Sequence, residues 1–125
     1  MSKRILFVDD SETIRKFISF GLRMRGFQLF LASDGQEALE KLAQNEVELI
    51  ITDLNMPNMD GFELITNLRQ DSVYKHIPII VLTTESQQEE RIRAINSGAN
   101  SYLIKPFKID VIVQEIENLL ATIIK

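Results

Sequence analysis

Short, uninterrupted apolar runs alternate along this chain with longer stretches in which apolar residues recur every three or four positions. The runs are Ile5 to Val8, Phe27 to Ala32, Leu49 to Ile51, Ile79 to Leu82 and Tyr102 to Ile104. A run of this length without a polar break predicts a strand buried on both faces. In the second run, Phe27, Leu29 and Leu31 fall on one side. Pro78 suits the opening of the fourth, where no ladder hydrogen bond is lost.

The periodic stretches predict helices. Ile14, Phe17, Ile18 and Leu22 share one helical face behind a Ser11 N-cap, and Gly26 suits the C′ position. Ser33, Asp34 and Gly35 read as a plain turn before a second helix carrying Ala38, Leu39 and Leu42. Asp60 caps a third, from Gly61 to about Gln70, through Phe62, Leu64, Ile65 and Leu68. The fourth, from Glu89 to Ser97, is expected to pack through Ile92 and Ile95 and to close at Gly98. The last repeats Ile109, Ile112, Ile116, Leu119 and Ile123, close to a heptad seam, with Glu115, Glu117 and Asn118 facing away.

Strictly alternating strands and helices with short connections predict an α/β fold, a doubly wound parallel sheet covered on both faces. Periodicity does not disclose the strand order. It does disclose where polar residues fall. Asp9, Asp10, Asp53, Thr83 and Lys105 all sit at or just past the carboxyl ends of four different runs. In a parallel sheet those ends share one edge, where ligands bind. Residues far apart in sequence therefore converge there.

Composition narrows the classes. The 125 residues suit a single domain, 1–125, with no linker or repeat, and 45% hydrophobic against 26% charged residues suits a globular core. No apolar run reaches the roughly 18 residues a membrane helix requires, and the Met-Ser-Lys-Arg start lacks a signal-peptide core. The absence of cysteine excludes disulfide, zinc-thiolate and thiol-redox chemistry and fits a cytoplasmic location. A net charge of −4 argues against nucleic acid as a partner.

Converging carboxylates repel: unit charges about 4 Å apart interact at about 4 kcal/mol for an effective dielectric near 20. A cluster of Asp9, Asp10 and Asp53 therefore calls for a cation, and oxygen donors without His or Cys suit a hard one, Mg²⁺ first. Lys105 adds a second positive centre and Thr83 a hydroxyl donor. Metal, ammonium, hydroxyl and carboxylate nucleophile are together what phosphoryl transfer needs.

In this order and at these strand ends, Asp9-Asp10, Asp53, Thr83 and Lys105-Pro106 resemble the receiver domain of two-component response regulators. The likeness extends from Lys3 to the final helix. Asn55-Met56-Pro57-Asn58-Met59-Asp60-Gly61 and Lys105-Pro106-Phe107 are similar to the stand-alone chemotaxis, CheY-like, group. The resemblance implies a flavodoxin-like topology with strand order 2-1-3-4-5. It implies that Asp53 accepts a phosphoryl group from a histidine kinase. Asp10 and Asp53 would ligate Mg²⁺ with the Asn55 carbonyl, and Asp9 would hold a metal-bound water. Lys105 would pair with Asp53, Thr83 would turn toward the phosphoryl group, and Tyr102 would change exposure in concert. Pro106 would follow a cis peptide bond, while Asn55 and Glu85 would tune self-dephosphorylation. Output would pass to an unidentified downstream protein through the face of the fourth helix, fifth strand and fifth helix. Such a protein is not a multiple-turnover enzyme, and it is a monomer or a phosphorylation-dependent dimer.

Other readings explain less. An aspartyl-phosphate phosphatase would place a second acid two residues after the nucleophile, where this chain has Asn55. A phosphorylation-independent receiver-like module would lack one of the five site positions, and none is missing. Nucleotide binding would need a glycine-rich phosphate loop, of which there is none. His76 is expected in an exposed loop, and Met56 and Met59 in loop packing.

Overall fold

The computed structural model describes residues 2–84, 87–105 and 108–124. Five strands alternate with five helices: β1 (Arg4–Val8), α1 (Glu12–Met24), β2 (Gln28–Ala32), α2 (Gly35–Gln44), β3 (Leu49–Thr52), α3 (Gly61–Gln70), β4 (Ile79–Thr83), α4 (Gln88–Ser97), β5 (Ser101–Ile104) and α5 (Ile109–Ile124). The strands form one parallel sheet in the order β2-β1-β3-β4-β5. This is the α/β architecture and the strand order expected.

Two cores explain the unbroken apolar runs. Along β1, Ile5 and Phe7 face one core with Ile18 and Leu22 of α1 and Ile112 and Ile116 of α5. Leu6 and Val8 face the other, with Leu42 of α2, Leu64 and Leu68 of α3 and Ala94 of α4. Because both faces are covered, neither phase of the strand period can be polar. Phe27, Leu29 and Leu31 all belong to the α1/α5 core, as their alternation predicts. Each fully buried Leu, Ile or Phe contributes roughly 1.5–3 kcal/mol relative to exposure, so the central strands dominate stability.

Caps set the helix starts. Ser11 Oγ accepts from the Ile14 N–H at 3.2 Å. Asp60 and Glu63 form a reciprocal capping box at the head of α3. The Ser33-Asp34-Gly35 segment, however, is more than a turn. Asp34 is the N-cap of α2, and Gly35 is already helical.

Two helical faces differ from expectation. In α4, Ile92 and Ile95 are 50% and 42% exposed, while Ala94 is fully buried. The small side chain lets the helix lie close to its neighbours, and the bulkier isoleucines, Ile92 nearly opposite Ala94 and Ile95 to one side of it, point outward. In α1, Phe17 is 58% exposed and joins Phe20 and Met24 in an outward stripe, while Ile18 and Leu22 turn inward. Apolar spacing reports a stripe; packing decides how much of it is covered. His76 is exposed, and Met56 and Met59 pack against the core, as the loop positions predicted.

Candidate functional site

The sheet register brings the polar strand ends together. Val8 is paired with Thr52, and Thr83 with Ile104, so Asp9, Asp53 and Lys105 each follow directly on a paired residue of β1, β3 and β5. Ladder bonds carry this alignment past the strands: the Asp53 N–H donates to Val8 O at 2.9 Å, and the Lys105 N–H to Thr83 O at 2.7 Å. The Asp9 N–H donates to Ala32 O at 3.0 Å. Convergence at one edge follows from register, not from chain proximity.

Asp9 is only 1% exposed. Its Oδ1 accepts from the Ser11 N–H at 2.9 Å, and its Oδ2 from Lys105 Nζ at 2.6 Å. The same ammonium donates to Asp53 Oδ2 at 3.2 Å, while Asp53 Oδ1 accepts from the Leu54 N–H at 2.7 Å. Asp10 stands at the exposed rim. One carboxylate oxygen from each of Asp9, Asp10 and Asp53 lies within 4.8 Å of the others.

Three carboxylates against one ammonium make the cluster strongly negative. Burial raises the Asp9 carboxyl above its ordinary value, and the bonds from Lys105 and Ser11 only partly offset this. Burial alone would lower Lys105, but the carboxylates of Asp9 and Asp53 outweigh it and hold the ammonium above its ordinary value. Both groups retain protons more firmly than in water, Asp9 chiefly because it is buried and Lys105 because of the carboxylates beside it. Oxygen-only donors at this spacing, with a surplus of negative charge, fit a hard divalent cation such as Mg²⁺.

Three of the remaining sequence-predicted residues, Thr83, Asn55 and Tyr102, lie on β4, the β3–α3 loop and β5. Thr83 is the last residue of β4 and is fully buried, whereas Thr84 is exposed, which leaves Thr83 as the hydroxyl at the edge. Asn55 lies two residues beyond Asp53 in the exposed part of the β3–α3 loop. Tyr102 is half-buried in β5, packed on the α3/α4 side of the sheet, and lines a groove with Ile92, Ile95 and Ile104. Glu85 and Pro106 lie outside the described residues.

Three supports escaped the sequence reading. Arg15 Nη1 donates to the Asp9 carbonyl at 2.6 Å, holding the strand end against α1. Asp34 Oδ2 accepts from Asn58 Nδ2 at 2.7 Å, linking two loops. Gly61 has no room for a side chain, because a Cβ there would meet the Asp53 carbonyl oxygen and would lie 2.8 Å from Leu54 Cα. Only Asp34 had a local signal: Glu37 stands at its third following position, the spacing of a capping box.

Comparison with known proteins matches this geometry. The family model described as the response regulator receiver domain matches residues 5–117. Chemotaxis protein CheY1 of Helicobacter pylori is 43% identical over 121 residues, spanning 95% of this chain and 98% of that protein. The CheY homologue of Campylobacter jejuni is 41% identical, over 95% of this chain and 93% of that one. Among solved structures, the chemotaxis response regulator CheY4 of Vibrio cholerae superposes with a TM-score of 0.88 at 37% identity, covering 95% of this chain and 99% of the other. With Asp9, Asp10, Asp53 and Lys105 gathered at the carboxyl edge of a 2-1-3-4-5 sheet, this chain belongs to the response regulator receiver domain family.

Proposed function

We propose that this protein is a phosphorylation-activated signalling switch in which Asp53 accepts a phosphoryl group from the phosphohistidine of a histidine kinase. The observation that carries the reading is the Lys105 ammonium bridging Asp9 and Asp53, with Asp10 in the same cluster. An Asp53 carboxylate oxygen attacks phosphorus, the P–N bond breaks with its electron pair going to nitrogen, and the phosphohistidine ring, protonated on its other nitrogen, leaves as neutral imidazole. Asp10, Asp53 and the Asn55 carbonyl, with Asp9 beside them, would hold Mg²⁺, which would neutralise charge at the phosphoryl oxygens. Lys105 moves from its carboxylate partner to a phosphoryl oxygen. The Thr83 hydroxyl donates to another, and Tyr102 changes its exposure in concert.

The output side of the reading rests on exposed apolar residues. Ile92 and Ile95 of α4, Ile104 of β5 and Val111 of α5 are all exposed, an arrangement suited to a protein partner. A net charge of −4 disfavours nucleic acid. Asn55 and Glu85 govern water access to the acyl phosphate and so its lifetime, and the cytoplasm is where a kinase of this class would meet the chain. The chain completes one transfer and a slow hydrolysis and does not turn over a free substrate. It acts as a monomer or as a dimer that phosphorylation promotes.

The test is incubation with Mg²⁺ and a small phosphoramidate donor, followed by intact-protein mass measurement. The expected result is a gain of one phosphoryl group that requires Mg²⁺ and is absent from Asp53→Asn. Equal modification of Asp53→Asn and parent would sink the assignment.

A further inference from the structure

We infer that Asp34, acting through Asn58, is a positioning residue for the loop that carries Asn55 into the acidic site. The inference deepens the function proposed above and rests on it, because it concerns how the Asn55 carbonyl is held for the cation.

The loop between β3 and α3 is tied at its base, where the Gly61 N–H donates to Leu54 O at 2.9 Å. A base tie alone leaves the tip free to swing, and Asn55 with it. The tip is gripped from the β2–α2 corner. Asn58 sits in the left-handed region, φ 66°, with its amide donating to Asp34 Oδ2 at 2.7 Å. The next residue is held as well, since the Gly35 N–H donates to Met59 O at 2.9 Å. The two corners touch so closely that a Cβ on Gly35 would lie 2.7 Å from Met59 Cγ.

Asp34 is suited to this because its own geometry is already set. Oδ1 is committed to the Glu37 N–H at 2.8 Å as the cap of α2, so Oδ2 is presented to Asn58 at a fixed angle. The carboxylate is also largely buried, which keeps water from competing for the bond. A rigid helix end thereby orients a loop that has no regular structure of its own. Outer partners of this kind aim ligands and typically matter about 10- to 100-fold when they touch the ligand itself. Acting at one remove, through Asn58, the expected effect is smaller.

The experiment separates positioning from folding. Asp34→Ser keeps a good N-cap but is too short to reach Asn58. Asn58→Gly keeps the left-handed backbone and deletes the amide. Asp34→Asn can cap α2 with its oxygen and still bond to Asn58 if Asn58 turns its amide, so that the Asn58 Oδ1 accepts from the new side-chain N–H. Mg²⁺ affinity is measured by isothermal titration on unphosphorylated protein, amide exchange across residues 55–59 by NMR on metal-free protein, and melting temperature alongside. Asp34→Ser and Asn58→Gly are expected to weaken Mg²⁺ binding by about 3- to 10-fold and to speed exchange in the loop. Phosphorylation in these variants should recover at saturating Mg²⁺, and Asp34→Asn should stay near the parent. Unchanged Mg²⁺ affinity in both disrupting variants overturns the inference while leaving the function standing. A parent that does not respond to Mg²⁺ overturns the function and this inference with it.

Discussion

The Lys105 ammonium stands nearer to Asp9 than to Asp53, 2.6 Å against 3.2 Å, although Asp53 is the residue proposed to carry the phosphoryl group. Asp9 is the more deeply buried of the two acids, so its charge has fewer water molecules to share and draws the cation harder. Lys105→Met should therefore destabilise the metal-free protein by about 1–3 kcal/mol, less than for a fully enclosed pair because the rim is open to water. The variant carries one more uncompensated negative charge. The rise in melting temperature on adding Mg²⁺ should then exceed that of the parent. An equal or smaller rise would show that Lys105 and the cation do not share a charge-neutralising role.

Asp9 gives a prediction of the opposite sign. Its folded-state pKa is raised, chiefly by burial. A raised acid favours folding below its unfolded value and loses that contribution as pH rises through the folded value, so at neutral pH its ionisation costs stability. Lys105, also raised, stabilises below its ordinary value and loses that contribution only as strongly alkaline pH passes the folded one. Asp9→Asn should raise metal-free stability at pH 7 by about 1 kcal/mol and reduce the stabilisation by Mg²⁺. Urea unfolding with and without Mg²⁺ reads both effects.

For Asp34 the sign reverses again. The Glu37 N–H and the Asn58 amide hold its carboxyl below the ordinary carboxylate range. Its contribution is therefore present above the unfolded value and disappears as pH falls through the folded one. Asp34→Ala should cost about 1–2 kcal/mol at pH 7, a lost cap plus a lost charged hydrogen bond. The gap between parent and variant should narrow in strong acid; a gap independent of pH would contradict the ionic origin.

Gly61→Ala should cost about 2–3 kcal/mol by overpacking, since the added methyl meets backbone at Asp53 and Leu54 and not a movable side chain. The displaced strand end should also slow phosphorylation. Chemical denaturation and the rate of mass gain should move together.

The exposed and buried faces of α4 make a further pair. Ala94→Leu should destabilise by about 1–3 kcal/mol, because Ala94 is fully covered. Ile95→Ser should change stability by less than about 0.5 kcal/mol while weakening capture of a protein partner by the phosphorylated form. Strong destabilisation by Ile95→Ser would return the isoleucines to the core.

What the chain alone determines is local or periodic. Unbroken apolar runs marked β1, β3 and β4 as buried on both faces, and Asp60 before Phe62 and Leu64 marked the head of α3. The ends of the runs placed Asp9, Asp53, Thr83 and Lys105 on one edge, because parallel strands have only one carboxyl edge to share. Tertiary structure decided the rest. Which acid Lys105 holds most closely depends on register and burial across 96 residues of separation, and no local pattern encodes that. The face of α4 that meets the core turned on close approach at a small alanine, against the greater hydrophobicity of two isoleucines. The Asp34–Asn58 bond spans 24 residues between two loops, whose conformations follow from what they pack against and not from any repeat in their sequence.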